Sequence, residues 1–229
     1  MAQERQQVQG NGEAATGAED RCRLVLVVPA GSCDAARLAS ALAGGDVASV
    51  VIVPGGMDEA EYQKAAADLV SAAQAVDVAA LVVNDSRAMG RAEADGILIE
   101  GSIEALDDAV ARFSPKRIVG FASLFDRHGA MEAGERNPDF LFLGKTDGDI
   151  RPEPHPRNLK IAEWAAEVMQ FSLIVMGGTA VESVIDIAHT GADFAALGKA
   201  VFAEGVDAPE AVRAANAMLD EHAPRFESE

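Results

Sequence analysis

Eight short apolar runs recur along the chain, and this repetition restricts the folds that it can adopt. The runs are rich in aliphatic residues, as in LVLVV (24–28) and LIVMG (173–177). They begin at residues 24, 49, 80, 96, 117, 140, 173 and 194. Helical patterns rich in alanine, glutamate and leucine lie between most of them, as in residues 58–74. Apolar strands that alternate with helices are typical of a parallel sheet covered by helices.

The number of these units favours a closed (β/α)₈ TIM barrel in a single domain over an open sheet. A doubly wound sheet of the Rossmann or flavodoxin type is the alternative. The G-x-G-x-x-G turn of a Rossmann sheet is missing after the first run, where the chain reads PAGSCD (29–34). The segment between Asn84 and Gly96 is short for a complete unit, and it is the feature that fits the barrel least well.

Length and composition favour one domain with short tails. The chain has 229 residues, of which 49% are hydrophobic, which is enough for one large core. We predict that residues 21–223 form the TIM barrel. Residues 1–20 are rich in glutamine, glutamate, glycine and alanine without periodicity, so they are predicted to be a disordered N-terminal tail. Residues 224–229 are predicted to be a C-terminal tail.

The charge balance disfavours several classes of partner. There are 37 acidic and 19 basic residues, which give a formal net charge of −18. Such a surface repels nucleic acids and anionic membranes. No apolar stretch approaches the ~20 residues that a membrane span requires, and the N-terminal residues lack the apolar segment of an export signal. We therefore expect a cytoplasmic protein that binds neither nucleic acid nor membranes; a homodimer is a possible assembly.

The two cysteines are predicted to be reduced thiols. Cys22 and Cys33 flank the first apolar run. If that run is a strand, its two ends lie well beyond the ~7 Å Cα separation that a disulfide tolerates. No neighbouring histidine or cysteine pair supplies a metal site or an activated nucleophile.

Two strand ends carry a candidate phosphate site. In TIM barrels a phosphate is often held by the loops after strands seven and eight. Gly177 and Gly178 end the seventh run, and Gly198 and Lys199 end the eighth. A helix predicted to begin at Ala180 would present free N–H groups to an anion, and Lys199 would add a positive charge. The alternative is that the glycines serve only tight turns.

Six short segments near the predicted strand ends and starts also match the motifs of a known family. They are Asn84-Asp85-Ser86-Arg87, Ala94-Asp95-Gly96, Gly120-Phe121-Ala122-Ser123, Asp139-Phe140-Leu141-Phe142-Leu143-Gly144, Gly177-Gly178-Thr179 and Gly191-Ala192-Asp193. In this order, over about residues 22–205, the chain resembles the thiamine phosphate synthases and the related thiazole tautomerases.

The resemblance implies a transferase that joins a hydroxymethylpyrimidine diphosphate to a thiazole phosphate and releases pyrophosphate. In the family's dissociative substitution, pyrophosphate leaves the pyrimidine methylene carbon and the thiazole nitrogen attacks the resulting cation. The protein then has to position two small phosphorylated substrates and stabilise the departing charge. By the same resemblance, Ser123 and Lys145 are candidate catalytic residues.

The resemblance also implies Mg²⁺ as cofactor and further contacts to the substrates. Asp85 is the clearest candidate metal ligand, and Glu104 is the nearest substitute for a second family aspartate. Mg²⁺ prefers oxygen ligands and retains several waters, so one or two carboxylates suffice. Asn84, Arg87 and Thr146 are candidate contacts to the pyrimidine or to a phosphate.

The chain departs from the family where the leaving group should be held. The family's Gln-x-Arg-x-Lys after strand two is replaced by residues 52–56, which read IVPGG. After strand six, Asp147 and Asp149 follow Lys145 and Thr146, and nearby carboxylates weaken a phosphate grip. Three functions stay open: a divergent synthase, a barrel that binds a phosphorylated ligand without turnover, and a different phosphate-handling TIM-barrel enzyme.

Further basic and histidine side chains follow strand ends. Arg127, Arg151 and Arg157 are alternative anion ligands beside Arg87, although solvated loop arginines are as common. His128 and His155 are weaker candidates for a catalytic role.

Overall fold

The computed structural model describes residues 20–122, 124 and 126–226. Its eight parallel strands close into a barrel in the order β1 to β8, which confirms the predicted (β/α)₈ TIM barrel. The strands are β1 (Arg23–Pro29), β2 (Ser49–Val53), β3 (Ala79–Val83), β4 (Gly96–Ile99), β5 (Ile118–Phe121), β6 (Phe140–Leu143), β7 (Ser172–Met176) and β8 (Phe194–Leu197). The helices are α1 (Ala35–Leu42), α2 (Glu59–Gln74), α3 (Ser86–Ala92), α4 (Ile103–Phe113), α5 (Arg127–Gly134), α6 (Pro156–Val168), α7 (Ser183–Ala188), α8 (Lys199–Phe202) and α9 (Ala208–His222).

Each strand is apolar on both faces because it packs against two different layers. On β1, Val25 and Val27 point into the barrel and join a cluster that fills it. Leu24 and Leu26 point outwards and pack in the larger layer between the strands and the helices. Successive side chains thus alternate between the two sides of the strand, although every residue of the run is apolar. The short third unit is accommodated by α3, which has only seven residues.

Three aspartates join neighbouring strands at the N-terminal end of the barrel. Asp95, Asp139 and Asp193 each precede an even-numbered strand, and one carboxylate oxygen of each accepts a backbone N–H from the preceding odd-numbered strand. The donors are Ala80 at 2.8 Å, Val119 at 2.7 Å and Leu173 at 2.7 Å. Burial raises the pKa of Asp193. These aspartates, which belong to the family-like motifs, therefore have a structural role far from the barrel mouth.

The two ends of the described chain meet at the same N-terminal face. The guanidinium of Arg21 is only 2% exposed. It donates to the Asp220 carboxylate at 2.8 Å and to the Asn216 side chain at 3.2 Å. An isolated antiparallel bridge pairs Arg21 with Arg225. Residues 20 and 225–226 thus bond to each other at the surface. Residues 1–19 and 227–229 lie outside the described part, and the predicted tails stay predictions.

Both cysteines are buried free thiols, as predicted. Burial raises the pKa of Cys22 to about 12 and that of Cys33 to about 11. Thiolates are therefore scarce at neutral pH, and neither side chain is activated as a nucleophile. In the described part of the chain, no helix combines the length and apolar character needed to cross a membrane.

Candidate active site

A large cavity lies at the C-terminal mouth of the barrel, where active sites of this fold occur. It has a volume of about 1320 Å³ and is lined by the loops that follow β1, β2, β4, β6 and β8. Its charged lining residues are Arg37, Lys145, Lys199, Glu100, Asp147, Asp149 and Glu204. The lining thus combines three cations with four carboxylates, so acids of the same cavity offset its positive charge.

The loop from residue 144 to residue 155 brings a buried carboxylate to the end of β8. The side chain of Asp149 is 3% exposed. Its Oδ2 accepts the backbone N–H of Lys199 at 2.5 Å, and its Oδ1 lies 3.2 Å from the Lys199 ammonium. The same ammonium donates to the Asp149 carbonyl at 3.0 Å. A side chain on Gly198 would begin 2.8 Å from the Asp149 carboxylate. Lys199, which was predicted to contact the anion of a ligand, therefore contacts the Asp149 carboxylate of the chain itself.

The N–H groups of the glycine pair at the end of β7 also have partners within the chain. Gly177 donates to the Ala196 carbonyl at 2.8 Å, and Gly178 donates to Oγ of Ser183 at 3.0 Å. The helix that follows begins at Ser183, so the prediction of a helix start at Ala180 is wrong. The intervening residues form a turn that bonds to the loop after β6 instead of starting a helix.

That turn is covered by the backbone of residues 151–152. Thr179 donates to the Arg151 carbonyl at 2.7 Å, and Ala180 donates to the Pro152 carbonyl at 3.3 Å. A Cβ atom on Gly178 would lie 1.9 Å from the Pro152 oxygen. Gly178 thus leaves room for the chain's own loop in this conformation, and its role in phosphate binding stays a prediction.

Lys145 and Thr146 both reach the cavity, but their partners differ. The ammonium of Lys145 is exposed and has no carboxylate oxygen within 4 Å among the described residues. Thr146 donates through its backbone N–H and its hydroxyl to the two oxygens of Glu100, at 3.2 and 3.0 Å. The described part of the cavity therefore presents Lys145 as a cation open to a ligand and holds Thr146 against a carboxylate.

Asn84 connects the ends of two strands. It has a left-handed backbone conformation with a φ of 56°. Its amide donates to the Glu100 carbonyl at 2.9 Å, and its Oδ1 accepts the Glu100 N–H at 2.8 Å. The side chain thus extends the pairing of β3 with β4 by one step, and its contact with a substrate stays a prediction.

Asp85 and Arg87 are engaged at the start of α3, away from the residues that line the cavity. Asp85 is the N-cap of this helix, and its Oδ1 accepts the N–H groups of Arg87 and Ala88, both at 2.8 Å. Its Oδ2 accepts from the buried side chain of Gln63 at 3.1 Å. The guanidinium of Arg87 is 73% exposed and pairs with Glu59 at 2.9 Å. Both residues have structural partners where the resemblance implied a metal and a phosphate.

The predicted metal ligands Asp85 and Glu104 both lie at helix starts. Glu104 lies in the first turn of α4, where its own backbone N–H and the Ser102 hydroxyl lower the pKa of its exposed carboxyl. Among residues 20–122, 124 and 126–226, no group of three or more His, Cys, Asp or Glu side chains is arranged to hold a metal ion. Asp85 already accepts three N–H groups within the chain, and its binding of Mg²⁺ stays a prediction.

Other candidates lie at the surface or outside the described residues. Ser123, the predicted catalytic serine, is outside them. His128 and His155 are exposed, and His155 accepts the Arg157 N–H at 3.2 Å as the N-cap of α6. The guanidinium of Arg127 lies 5.2 Å from the ring centre of Trp164, so its described contact is with a helix on the outside of the barrel.

Comparison with known proteins identifies the family. A family model described as thiamine monophosphate synthase matches residues 24–201, from the second residue of β1 into α8. The chain belongs to this thiamine monophosphate synthase family. The chain is similar to a thiamine-phosphate synthase of Hyphomonas neptunium, which is 30% identical over 210 residues and aligns over 87% of this chain and 95% of its own length. A thiamine-phosphate synthase of Erythrobacter litoralis is 31% identical over 155 residues, which are 64% of this chain and 70% of its own.

Solved structures agree with the fold of the family. Thiamine phosphate pyrophosphorylase from Pyrococcus furiosus superposes with a TM-score of 0.73 at 18% identity, over 89% of this chain and 98% of that one. A (S)-3-O-geranylgeranylglyceryl phosphate synthase from Thermoplasma acidophilum, in complex with sn-glycerol-1-phosphate, gives 0.65 at 16% identity, over 89% and 95% of the two chains. At these identities the likeness establishes the shared barrel.

Several cavity residues of this family member were not singled out from its sequence, and Glu100 and Arg37 are two of them. Glu100 follows the last residue of β4 directly, and Arg37 lies in the first turn of α1. Position alone could have identified Glu100, because residues at the C-terminal ends of barrel strands face the mouth. Arg37 gave no such signal, since its guanidinium reaches the Ala203 carbonyl at 2.9 Å across 166 residues of sequence.

Proposed function

We propose that this chain is a thiamine phosphate synthase-like enzyme that joins a hydroxymethylpyrimidine diphosphate to a thiazole phosphate at its barrel mouth. The family match over residues 24–201 carries the proposal, and the cavity of about 1320 Å³ offers room for two small substrates. In the reaction, the bond between the pyrimidine methylene carbon and the diphosphate oxygen breaks, and its electron pair leaves with pyrophosphate. The thiazole nitrogen then uses its lone pair to form the new carbon–nitrogen bond.

Lys145 and Lys199 would bind the negatively charged phosphate groups of the substrates. Lys145 is exposed to the cavity without an ion pair in the described part of the chain, so it is suited to stabilise the departing pyrophosphate. Lys199 faces the same cavity, but Asp149 neutralises its ammonium. A thiazole phosphate that binds at the end of β8 therefore has to replace this carboxylate.

Mg²⁺ stays a prediction for this site. When bound, the ion would supply positive charge to the diphosphate oxygens. The residues that would hold it are Asp85, which caps α3, and Glu104, which lies exposed on α4. An assay with and without EDTA tests the requirement. The cytoplasmic location and the homodimer likewise stay predictions.

Binding of a phosphorylated ligand without turnover is the second candidate. Two observations favour it. Pro54, Gly55 and Gly56 line the cavity after β2, where the family resemblance would place basic residues that grip the diphosphate. At the end of β8, Asp149 holds the ammonium of Lys199. Both features reduce the positive charge that is available to a leaving group.

Formation of thiamine phosphate from the two substrates tests the proposed reaction. We expect product from the wild-type protein, and we expect Lys145→Met to lower kcat by about 10²-fold, as the loss of one charge-stabilising donor commonly does. Lys116→Met is the matched control because Lys116 is an exposed lysine at the opposite end of the barrel, before β5. It should retain wild-type activity.

The two candidates give different outcomes. Absence of product from the wild-type protein, beside a synthase that turns over under the same conditions, would contradict the proposed reaction. Thermal unfolding with thiamine phosphate and with inorganic phosphate then tests the second candidate, because a ligand that binds the folded state raises the midpoint. Selective stabilisation by thiamine phosphate would support binding without turnover.

A further inference from the structure

Residues 149–152 place one carboxylate and three carbonyl acceptors of the protein's own chain at the ends of β7 and β8. The Asp149 carboxylate accepts from Lys199, and the carbonyls of residues 151 and 152 accept from Thr179 and Ala180. Loops after the seventh and eighth strands are the usual location of a phosphate in this fold. The donors of Lys199, Thr179 and Ala180 at this location are therefore engaged by one short segment, residues 149–152, which we call the occupying segment.

The contacts of Asp149 reproduce those that hold a bound anion. Its carboxylate is 97% buried and meets both a backbone N–H and an ammonium. A backbone N–H combined with a cation is the arrangement that proteins use for phosphate oxygens. The carboxylate and a phosphate would need the same two donors of Lys199, so they cannot both bind there.

The fold makes room for this segment at two glycines. A Cβ on Gly178 would lie 1.9 Å from the Pro152 oxygen, and a Cβ on Gly198 would lie 2.8 Å from the Asp149 carboxylate. The segment packs at these two positions because neither residue has a side chain. The segment is therefore held by packing against these two glycines as well as by the ion pair between Asp149 and Lys199.

We propose that Asp149 is an internal competitor of the ligand's phosphate and so determines which anions this end of the cavity accepts. This rests on the proposed function in one respect, which is that the ligand carries a phosphate. Phosphate binds only to molecules in which the occupying segment is displaced. Because this fraction is small, the apparent Kd for phosphate is higher than the intrinsic Kd. A polyanion offers more compensating contacts and is favoured over a single weak anion.

Binding of inorganic phosphate and of pyrophosphate to variants tests the competitor. Asp149→Asn and Asp149→Ala remove the competing charge, so we expect isothermal titration to give a phosphate Kd at least about tenfold lower than that of the wild type, in line with the competent-fraction relation. Glu153→Gln is the matched control, because it removes one exposed carboxylate from the same loop. Its Kd should equal the wild-type value. Folded Asp149 variants that bind phosphate no more tightly than the wild type would overturn the proposal.

Hydrogen exchange of the wild-type protein gives an independent test that needs no variant. Saturating phosphate should increase amide exchange in a peptide covering residues 144–155, because the ligand displaces this loop. Unchanged exchange at saturation would overturn the proposal even if the Asp149 variants fail to fold. These results are distinct from those of the proposed reaction: equal phosphate affinities contradict the competitor alone, and a failure to form thiamine phosphate contradicts the reaction alone.

Discussion

Gly120 and Phe140 show how single residues fill the interior of the barrel. Gly120 lies on β5, and Phe140 begins the neighbouring β6. A Cβ on Gly120 would lie 2.0 Å from Cζ of Phe140 and 2.4 Å from both Cε atoms. The aromatic ring therefore occupies the space that a side chain at position 120 would need. This glycine belongs to a family-like motif, and its described role is to admit the ring.

Gly120→Ala is expected to lower the free energy of unfolding by about 1–3 kcal/mol, because a new methyl group in a packed interior forces its neighbours to move. Denaturation in urea measures the change. Gly90→Ala is the control, since a Cβ at this position in α3 meets no atom within 4 Å. That change should be neutral or should stabilise the helix by about 0.5–1 kcal/mol. A Gly120 variant as stable as the wild type would contradict the packing.

At the scale of elements, the three aspartates before β4, β6 and β8 connect strands in pairs. Each carboxylate satisfies an N–H near the start of the preceding strand. Helix starts have similarly local causes: Ser102 caps α4 and Asp207 caps α9, each by accepting a backbone N–H from the first turn. These contacts depend on short sequence patterns, so the elements could be predicted from the sequence.

Asp139→Ala tests one of these strand connections. The change leaves the N–H of the fully buried Val119 without its side-chain acceptor, and we expect a loss of about 1–3 kcal/mol in the free energy of unfolding. Asp139→Asn retains an acceptor oxygen and should lose less. Asp108→Ala, on the exposed face of α4, should stay within about 0.5 kcal/mol of the wild type. Equal stability of the alanine and asparagine variants would show that the bond is unimportant.

At the scale of the whole molecule, the fold could be predicted and the arrangement of the site could not. Eight apolar runs determine eight strands, and each run needs only its own residues to be recognised. The course of residues 144–155 follows no period, and it depends on contacts between distant parts of the chain. Asp149 was expected to weaken the grip of Lys145, but its partner is Lys199, 50 residues away. Similarly, Asp85 matched a metal motif, while its oxygens accept N–H groups at a helix start and from Gln63.

Arg21 connects the start of the described chain to α9, and removal of its contacts should lower the stability of the whole domain. Arg21→Met leaves the largely buried Asn216 oxygen without its donor, so we expect a loss of about 2–4 kcal/mol in the free energy of unfolding. Arg225→Met is the matched control. Its ion pair with Asp20 is about half exposed, and such a pair contributes about 0–1 kcal/mol. Urea midpoints measure both variants, and equal losses would contradict the special role of Arg21.

The close approach of the Pro152 oxygen to Gly178 restricts how two distant segments can change in evolution. With 1.9 Å between a Cβ at position 178 and that oxygen, no lineage could replace this glycine while the loop kept its present course. A change in the loop would have to come first, or both would have to change together. Substitutions in the two segments are therefore expected to covary among relatives, although 26 positions separate Pro152 from Gly178.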